Sequence, residues 1–306
     1  MSYVVFSTTA YHYMVETLCK LPGFEKGDLG VEVFPEGEKH FTLGKSVKDK
    51  NVILIGGTIS ESNTLELYDI ATGLVDYGCG ALTIYIPYFG YSTQERVIHK
   101  GDIVVAKGRA RLLSTIRSAR FNNKIVLLDL HTPGIAHYFE GSVHCRHLSA
   151  KSMVHGIIKK INDPANTVVA STDAGGAKWV EALANESSIE AAFVYKKRIS
   201  NTKTTVSGIN ADVHGKTVVL YDDMIRSGSS FIQAAEAYKK SGAKSIIGAA
   251  SHCVFHPNTL SLLKAAGIFE EIHLTNSHPL ALEAQKQAPD FIKLFDVVRL
   301  FADKLE

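Results

Sequence analysis

The stretch that decides the fold reads Val218-Val219-Leu220-Tyr221-Asp222-Asp223-Met224-Ile225-Arg226-Ser227-Gly228-Ser229-Ser230. It begins as an apolar strand, passes through two adjacent acids and enters a turn of small residues before a helical pattern. Backbone N–H groups of the turn 226–230, with the serine hydroxyls and the helix N-terminus, can cradle a phosphomonoester. Asp222 and Asp223 stand at the carboxyl end of the strand, where the vicinal hydroxyls of a pentose would satisfy them. A helix-capping turn beside solvated acids is the alternative interpretation.

Short β-branched runs alternate with segments of helical period along the rest of the chain, which is typical of βαβ units. The pattern predicts an α/β fold with mainly parallel sheets flanked by helices. Strands are predicted at 51–55, 81–87, 125–130, 167–171, 191–195, 218–221 and 245–250. Helices are predicted at 109–116, 176–185 and 229–240. One further helical face consists of Leu67, Ile70, Ala71, Leu74 and Val75 and stops at Gly78.

This alternation occurs twice, and the first series of strands is complete shortly before residues 142–149. The sequence therefore predicts two similar domains, an N-terminal one over 1–145 and a C-terminal one over 146–306 that carries the turn 226–230. No low-complexity linker separates them.

Composition excludes several classes of function. The 306 residues are 45% hydrophobic and 21% charged, and 33 Lys and Arg face 31 Asp and Glu, so no global basic field favours nucleic acid. Apolar runs are strand-sized and far below the roughly 18 residues of a membrane helix. The N-terminus has the pattern of a first strand rather than a signal peptide, which predicts a cytoplasmic protein. Four scattered cysteines without a Cys-x-x-Cys pair predict buried thiols, and no Cys/His cluster indicates zinc.

The segment 218–230 resembles the phosphoribosyl-pyrophosphate loop of the type I phosphoribosyltransferase fold, and nearly the whole chain is similar to the ribose-phosphate pyrophosphokinase family. Five further stretches carry this resemblance: Phe34-Pro35-Glu36-Gly37-Glu38, Pro87-Tyr88-Phe89-Gly90-Tyr91, Asp129-Leu130-His131, Asp173-Ala174-Gly175-Gly176 and Lys196-Lys197-Arg198. The resemblance implies two phosphoribosyltransferase-like domains, each a mainly parallel sheet flanked by helices. It also implies assembly into a homodimer or a homohexamer.

The implied activity is a diphosphokinase reaction of nucleotide biosynthesis. Pyrophosphate passes from ATP to the anomeric hydroxyl of ribose 5-phosphate, with Mg²⁺ as cofactor, giving phosphoribosyl pyrophosphate and AMP. The implied substrate-binding residues are Asp222, Asp223, Arg226, Ser227, Gly228, Ser229 and Ser230. Lys196 and Arg198 are the implied catalytic residues; they open a polar stretch, running to Ser207, that is expected to be a mobile loop closing over the transferred group.

The resemblance also implies a nucleotide site and a metal site. The implied nucleotide-binding residues are Phe34, Glu36, Glu38, Gln94, Glu95, Arg96 and His131. Phe34 would stack on adenine, while Glu36 and Glu38 would accept hydrogen bonds from its amino group. The implied magnesium ligands are His131 and Asp173, because carboxylates and phosphates suit a hard ion. Asp129 and His131, two residues apart at a predicted strand end, are expected to share one face of the pleat.

Three positions depart from the pattern of the family. Thr93 replaces an Arg, Trp179 replaces another Arg, and Arg226 replaces an Asp, Ser or Gln. Because a guanidinium binds anions bidentately, Arg226, with an aromatic face from Trp179, also fits a larger ribose 5-phosphate ester such as ADP-ribose as acceptor. A non-catalytic relative that regulates an active synthase is a further alternative.

Overall fold

The computed structural model describes residues 2–198 and 204–303, and the side chains of 196–198 and 204–207 lie outside that description. The chain divides into two units, one of Met1–Leu148 with Val297–Glu306 and one of Ser149–Asp296. The C-terminal segment thus belongs with the first unit, whereas the predicted second domain included it. The reason is a tertiary contact, since the ring of Phe301 stacks on Tyr85 with 4.4 Å between centroids.

The first unit is built on a six-stranded parallel sheet and a separate two-stranded hairpin. Its elements are β1 (Tyr3–Ser7), α1 (His12–Leu18), β2 (Phe24–Lys26), β3 (Leu29–Val33), β4 (Lys39–Leu43), β5 (Asn51–Ile55), α2 (Glu61–Asp76), β6 (Ala81–Ile86), α3 (Val105–Ser114), β7 (Asn123–Leu128) and β8 (His144–Leu148). The sheet order is β2-β1-β5-β6-β7-β8, and β3 pairs antiparallel with β4. The predicted boundary at 145 falls inside β8.

Helix α2 shows how local sequence and packing agree in this unit. Its N-cap Ser60 accepts a hydrogen bond from the backbone N–H of Asn63, which satisfies one of the unpaired donors of the first turn. All five apolar residues of the predicted helical face are buried against the sheet. Because this face repeats every three to four residues, the helix can lie along the parallel strands.

The second unit is built on a seven-stranded sheet. Its elements are α4 (Lys151–Ile158), β9 (Thr167–Ser171), α5 (Ala177–Ser187), β10 (Glu190–Arg198), β11 (Thr204–Ile209), β12 (Thr217–Ile225), α6 (Ser229–Lys240), β13 (Ser245–Cys253), α7 (Thr259–Ala265), β14 (Ile272–Thr275), α8 (Leu280–Gln287) and β15 (Ile292–Phe295). The strand order is β11-β10-β9-β12-β13-β14-β15, and all pairs are parallel except β10 with β11. Helix α9 (Val298–Ala302) follows and belongs to the first unit.

The α/β fold class is confirmed, with mainly parallel sheets flanked by helices in both units. The predicted strands 51–55 and 167–171 and the predicted helix 229–240 have the observed bounds. Two predicted strands are too short, because β12 continues to Ile225 and β13 to Cys253. The added residues include Asp222 and His252, whose polar side chains favour a loop in the sequence. In the structure both belong to the ladder between β12 and β13, where Asp222 pairs with Ala250 and His252 with Met224.

Two expectations from composition can be compared with the described residues. Within 2–198 and 204–303, no helix combines the length and the apolar character needed to cross a membrane. The four cysteines are free thiols; Cys79 and Cys253 are buried as predicted, while Cys19 and Cys145 are half-buried.

Candidate active site

The two adjacent acids lie where the ladder between β12 and β9 stops. Tyr221 pairs with Ser171, the last residue of β9, and β12 then continues with β13 as its only strand neighbour among the described residues. Asp222 and Asp223 therefore lie inside β12, rather than after it as predicted, but beyond the carboxyl end of β9. Both are half-buried. This edge of a parallel sheet is where α/β folds bind ligands.

The carboxylate of Asp222 is held from two sides. Thr172 Oγ1 donates a hydrogen bond to Asp222 Oδ2 at 2.9 Å, and the backbone N–H of Asp223 donates to Oδ1 at 3.0 Å. Burial, with the negative charge of Asp223 beside it, raises the pKa of Asp222 far above the ordinary value of an aspartate. The hydrogen bond from Thr172 opposes that shift because it favours the ionised form.

The turn 226–230 connects β12 to α6; Ser227 in it is half-buried and Gly228 is buried. Gly228 has a φ of +78° and precedes the first residue of α6, whose first-turn N–H groups have no intrahelical acceptor. Arg226, Ser229 and Ser230 are exposed. The turn is fixed from behind, since the carbonyl of Arg226 accepts a hydrogen bond from Thr259 Oγ1 at 2.6 Å. An exposed turn with these donors can receive a phosphate group.

Asp173 follows β9 and lies on the same sheet edge. Its carboxylate accepts a hydrogen bond from the N–H of Gly175 at 2.9 Å and so caps the turn that leads to α5. Asp173 is half-buried, and its neighbour Thr172 is the residue that binds Asp222. The turn containing Asp173 is thus joined to β12 through the contact between Thr172 and Asp222.

Lys196 and Arg198 lie in a strand, where the sequence predicts the start of a mobile loop. Both belong to β10, and their backbones pair with Val206 and Thr204 of β11. The prediction of a loop over 196–207 is therefore wrong at both ends. The side chains of Lys196 and Arg198, like residues 199–203, lie outside the described part of the chain. The catalytic role of Lys196 and Arg198 therefore stays a prediction.

The expectation that Asp129 and His131 share a face of the pleat is wrong. Strand β7 ends at Leu128, and Asp129 has a φ of +35°, which interrupts the alternation of side chains. Asp129 is buried, while His131 is exposed. The N–H of Asp129 still donates to the carbonyl of Leu148, at the end of β8, so the pairing with β8 continues for one residue beyond β7.

Gln94, Glu95 and Arg96 follow a turn in which the N–H of Gln94 donates to the carbonyl of Tyr91 at 2.8 Å. Glu95 is buried, and its carboxylate contacts Arg96 Nε at 3.4 Å and Thr132 Oγ1 at 3.5 Å. Gln94 and Arg96 are exposed. Glu95 thus faces the residue that follows His131, and Gln94 and Arg96 are the members of the trio that a ligand can reach.

Phe34, Glu36 and Glu38 form the tip of the hairpin between β3 and β4. All three are exposed, and the N–H of Phe34 donates to the carbonyl of Glu38 to close the tip. The ring of Phe34 stacks on His40 with 6.0 Å between centroids. Phe34 is therefore a surface aromatic residue and not a core residue.

Comparisons with known proteins agree with this architecture. Residues 3–116 match the family model of the N-terminal domain of ribose phosphate pyrophosphokinase, and residues 152–306 match the phosphoribosyl synthetase-associated domain. The second match spans just over half of the chain.

The chain belongs to the ribose-phosphate pyrophosphokinase family.

Curated ribose-phosphate pyrophosphokinases are similar over nearly the whole chain. The protein of Pasteurella multocida is 32% identical over 263 residues, which cover 84% of this chain and 81% of that protein. That of Campylobacter jejuni is 28% identical over 303 residues, covering 98% and 94%. A phosphoribosylpyrophosphate synthetase from Mycobacterium smegmatis has the same fold, with a TM-score of 0.86, 24% identity and coverage of 99% and 97%. The predicted family and phosphoribosyltransferase-like fold are confirmed.

The family implies a magnesium ion, and the residues fit one kind of site for it. Within the described ranges, no group of three or more His, Cys, Asp or Glu side chains is placed to hold a metal. Asp173 and the two acids of β12 supply hard oxygen ligands on one sheet edge, while His131 lies in the other unit. Mg²⁺ is commonly held by one or two carboxylates, several waters and substrate phosphates, and Asp173 fits that role.

Two features of the site have no signal in the sequence. Thr172 carried no signal, because a threonine before Asp173 has no local pattern that points to a residue fifty positions away. At Trp179 the sequence suggests only an aromatic face for a larger acceptor. Its indole instead stacks on Tyr221, with 3.6 Å between ring centroids and 5° between planes.

Proposed function

We propose that the protein transfers pyrophosphate from ATP to the anomeric hydroxyl of ribose 5-phosphate, giving phosphoribosyl pyrophosphate and AMP. Membership of the family supports the reaction. The observation that carries the substrate assignment is the continuity of Asp222, Asp223 and the exposed turn 226–230 on one strand, turn and helix. Carboxylates that can accept from sugar hydroxyls, followed after two residues by a turn that can cradle a phosphate, suit the two ends of a pentose 5-phosphate.

In the proposed reaction the sugar phosphate binds with its 5-phosphate on the turn 226–230 and its diol on Asp222 and Asp223. The anomeric oxygen attacks the β-phosphorus of ATP in line. The bond from that phosphorus to the oxygen bridging to the α-phosphorus breaks, AMP leaves with that oxygen, and the hydroxyl proton passes to solvent. Positioning and charge stabilisation supply most of the catalysis in such a transfer.

The remaining roles follow the same proposal. Lys196 and Arg198 stabilise the negative charge on the transferred group. Phe34, Glu36, Glu38, Gln94, Arg96 and His131 bind the nucleotide, and the buried Glu95 orients Arg96 through their 3.4 Å contact. Asp173 would hold the magnesium ion, which when bound offsets phosphate charge. We also propose a homodimer or homohexamer, which sedimentation analysis of the purified protein tests.

A second acceptor is favoured by one specific observation. Arg226 is exposed beside the proposed 5-phosphate cradle and makes no ion pair with any described residue. A guanidinium in that place can bind a further phosphate bidentately. The second candidate is therefore the same transfer to a ribose 5-phosphate ester such as ADP-ribose. Trp179 adds less to this candidate than the sequence predicts, since one face of its indole is covered by Tyr221.

Product identification tests these proposals. Purified protein is incubated with Mg-ATP and, separately, ribose 5-phosphate or ADP-ribose, and the products are identified by phosphorus NMR and chromatography. AMP with phosphoribosyl pyrophosphate supports the first acceptor. AMP with the pyrophosphorylated ester supports the second, and Arg226→Ala then lowers turnover of the ester more than that of ribose 5-phosphate. Absence of AMP with both acceptors refutes catalysis and leaves the regulatory relative.

A further inference from the structure

Strand β12, which carries the two acids, has a neighbouring strand on both sides up to Tyr221 and on one side only from Asp222 onward within the described residues. The ladder between β12 and β9 ends at the pair Tyr221 and Ser171, so Asp222 and Asp223 have β13 on one side and no strand of the described chain on the other. From Asp222 onward, no strand pairing within the described residues joins β12 to the turn containing Asp173. Side chains are then the groups that can join these two segments.

Two side-chain contacts join β12 to residues 172–179 here, one at Asp222 and one at Tyr221, the last residue of β12 that still pairs with β9. The first is the hydrogen bond of 2.9 Å from Thr172 Oγ1 to Asp222 Oδ2. The second is the stack of Trp179, in the first turn of α5, on the ring of Tyr221. Thr172 and Trp179 flank Asp173 and its turn, while Tyr221 and Asp222 are neighbours in β12. The two contacts thus tie the same pair of segments, one by a polar bond and one by ring packing.

Both contacts are built into the protein and not displayed to a ligand. Thr172 is 4% exposed and Tyr221 is 5% exposed. The hydroxyl of Tyr221 lies 2.8 Å from Ser251 Oγ on β13, so the stack also reaches the next strand. Trp179 packs with the cluster of apolar side chains on that face of the sheet. Thr172 and Trp179 would therefore affect a substrate through the position of Asp222 and not by direct contact.

We propose that Thr172 and Trp179 are positioning residues that fix Asp222 against the Asp173 turn, so that its carboxylate meets the pentose hydroxyls already oriented. This inference rests on the proposed assignment of Asp222 to the sugar. Preorganisation of this kind lowers the cost of ordering the site when the substrate binds. Its loss therefore raises the dissociation constant and KM for the sugar phosphate more than it lowers kcat at saturation.

The test uses matched variants at each contact. Thr172→Val removes the hydroxyl at nearly constant shape, and Thr172→Ser keeps it. Trp179→Leu removes the stack, and Trp179→Phe keeps an aromatic ring. We expect Thr172→Val and Trp179→Leu each to raise the dissociation constant for ribose 5-phosphate about tenfold, measured by calorimetry without nucleotide. Thr172→Ser and Trp179→Phe should remain within about threefold of the wild type, and KM for ATP should change less than about threefold.

A second readout does not depend on any ligand. Hydrogen exchange of the amides of 222–225 in the unliganded full chain should become faster in Thr172→Val and Trp179→Leu and stay near wild type in the two conservative variants. Ile292→Val is the control, because Ile292 is buried in β15, at the edge of the same seven-stranded sheet and three strands away from β12. It should lower stability without changing exchange at 222–225 or affinity for the sugar phosphate.

The outcomes separate the inference from the proposed function. If exchange at 222–225 and affinity are unchanged in folded Thr172→Val and Trp179→Leu, the positioning role is refuted while the proposed function stands. If the wild type binds no ribose 5-phosphate but exchange responds as expected, the substrate assignment fails and the positioning of Asp222 is supported. The positioning role is also refuted if Trp179→Phe and Thr172→Ser lose as much affinity as Trp179→Leu and Thr172→Val.

Discussion

Lys39 Nζ lies 2.6 Å from Glu66 Oε2 and so ties the hairpin of β3 and β4 to helix α2. The side chain of Glu66 is 1% exposed, and its other carboxylate oxygen accepts hydrogen bonds from both the N–H and the hydroxyl of Thr9. Lys39 follows directly after the tip that carries the proposed nucleotide-binding residues. This contact therefore joins the most exposed part of the first unit to its core.

Removing the lysine should be costly because a buried carboxylate would lose its cation. We expect Lys39→Ala to lower the free energy of unfolding by about 2 kcal/mol, measured by urea denaturation followed by circular dichroism. Lys45→Ala is the matched control, since Lys45 lies 3.8 Å from Glu25 and both side chains are more than half exposed. That exposed pair should contribute less than about 0.5 kcal/mol. Equal losses in the two variants would contradict the role of burial.

The catalytic prediction concerns Lys196 and Arg198. If they stabilise charge on the transferred group, Lys196→Ala and Arg198→Ala should each lower kcat by about 10² to 10³, measured as AMP release at saturating substrates. Lys197→Ala is the control, because Lys197 carries the same charge and lies between Lys196 and Arg198 in β10. Its backbone pairs with Thr205 of β11. Near wild-type turnover by Lys196→Ala would reject the assignment.

Stability should depend on pH through Asp222. Because burial and Asp223 raise its pKa, the folded protein keeps a proton that the unfolded chain has lost at neutral pH. That contribution to stability is complete below the ordinary carboxyl pKa near 4 and is lost as the pH rises through the raised value. Asp222→Asn cannot ionise, so its stability relative to the wild type should grow by about 1.4 kcal/mol per pH unit between about pH 5 and pH 7.

Urea denaturation at several pH values measures this difference. Asp290→Asn serves as control because Asp290 is an exposed carboxylate of the same unit, and its variant should follow the wild-type pH profile. An Asp222→Asn curve parallel to that of the wild type would show that Asp222 does not titrate in this range. The same variant should lose affinity for ribose 5-phosphate most clearly above the raised pKa of Asp222, where only the wild type presents an ionised carboxylate to the sugar hydroxyls.

The phosphate cradle should depend on Gly228. Its φ of +78° lies in the left-handed region, and an added Cβ would approach Thr259 Cγ2 to 3.3 Å. We expect Gly228→Ala to cost about 1 to 2 kcal/mol in stability and to weaken ribose 5-phosphate binding about tenfold. Calorimetry and urea denaturation measure the two effects.

Gly215→Ala separates strain from binding. Gly215 has a φ of +72°, but no atom lies within 4 Å of its added Cβ, and it precedes β12 at the opposite end from the cradle. It should lose similar stability and keep wild-type affinity for the sugar phosphate. If both variants weaken binding equally, the turn 226–230 has no special part in it.

The α/β class, the family and the place of the candidate sugar phosphate site could all be predicted from the sequence. The reason is that their signals are local. An apolar strand, two acids, a small-residue turn and a helix start follow one another within 218–230, and each element depends mainly on its neighbours in the chain. For the same reason, the helix predicted at 229–240 has the same bounds in the structure.

Contacts between distant residues were decided only by the tertiary structure. Thr172 and Asp222 are 50 positions apart and Tyr85 and Phe301 are 216 apart, so no local pattern reveals that they meet. The inward carboxylate of Glu95, the exposed ring of Phe34 and the strand conformation at Lys196 likewise depend on which elements pack beside them. The environment of a side chain depends on residues that are distant in sequence and meet only in the folded protein. The tendency to form a strand, turn or helix depends mainly on a short stretch of chain.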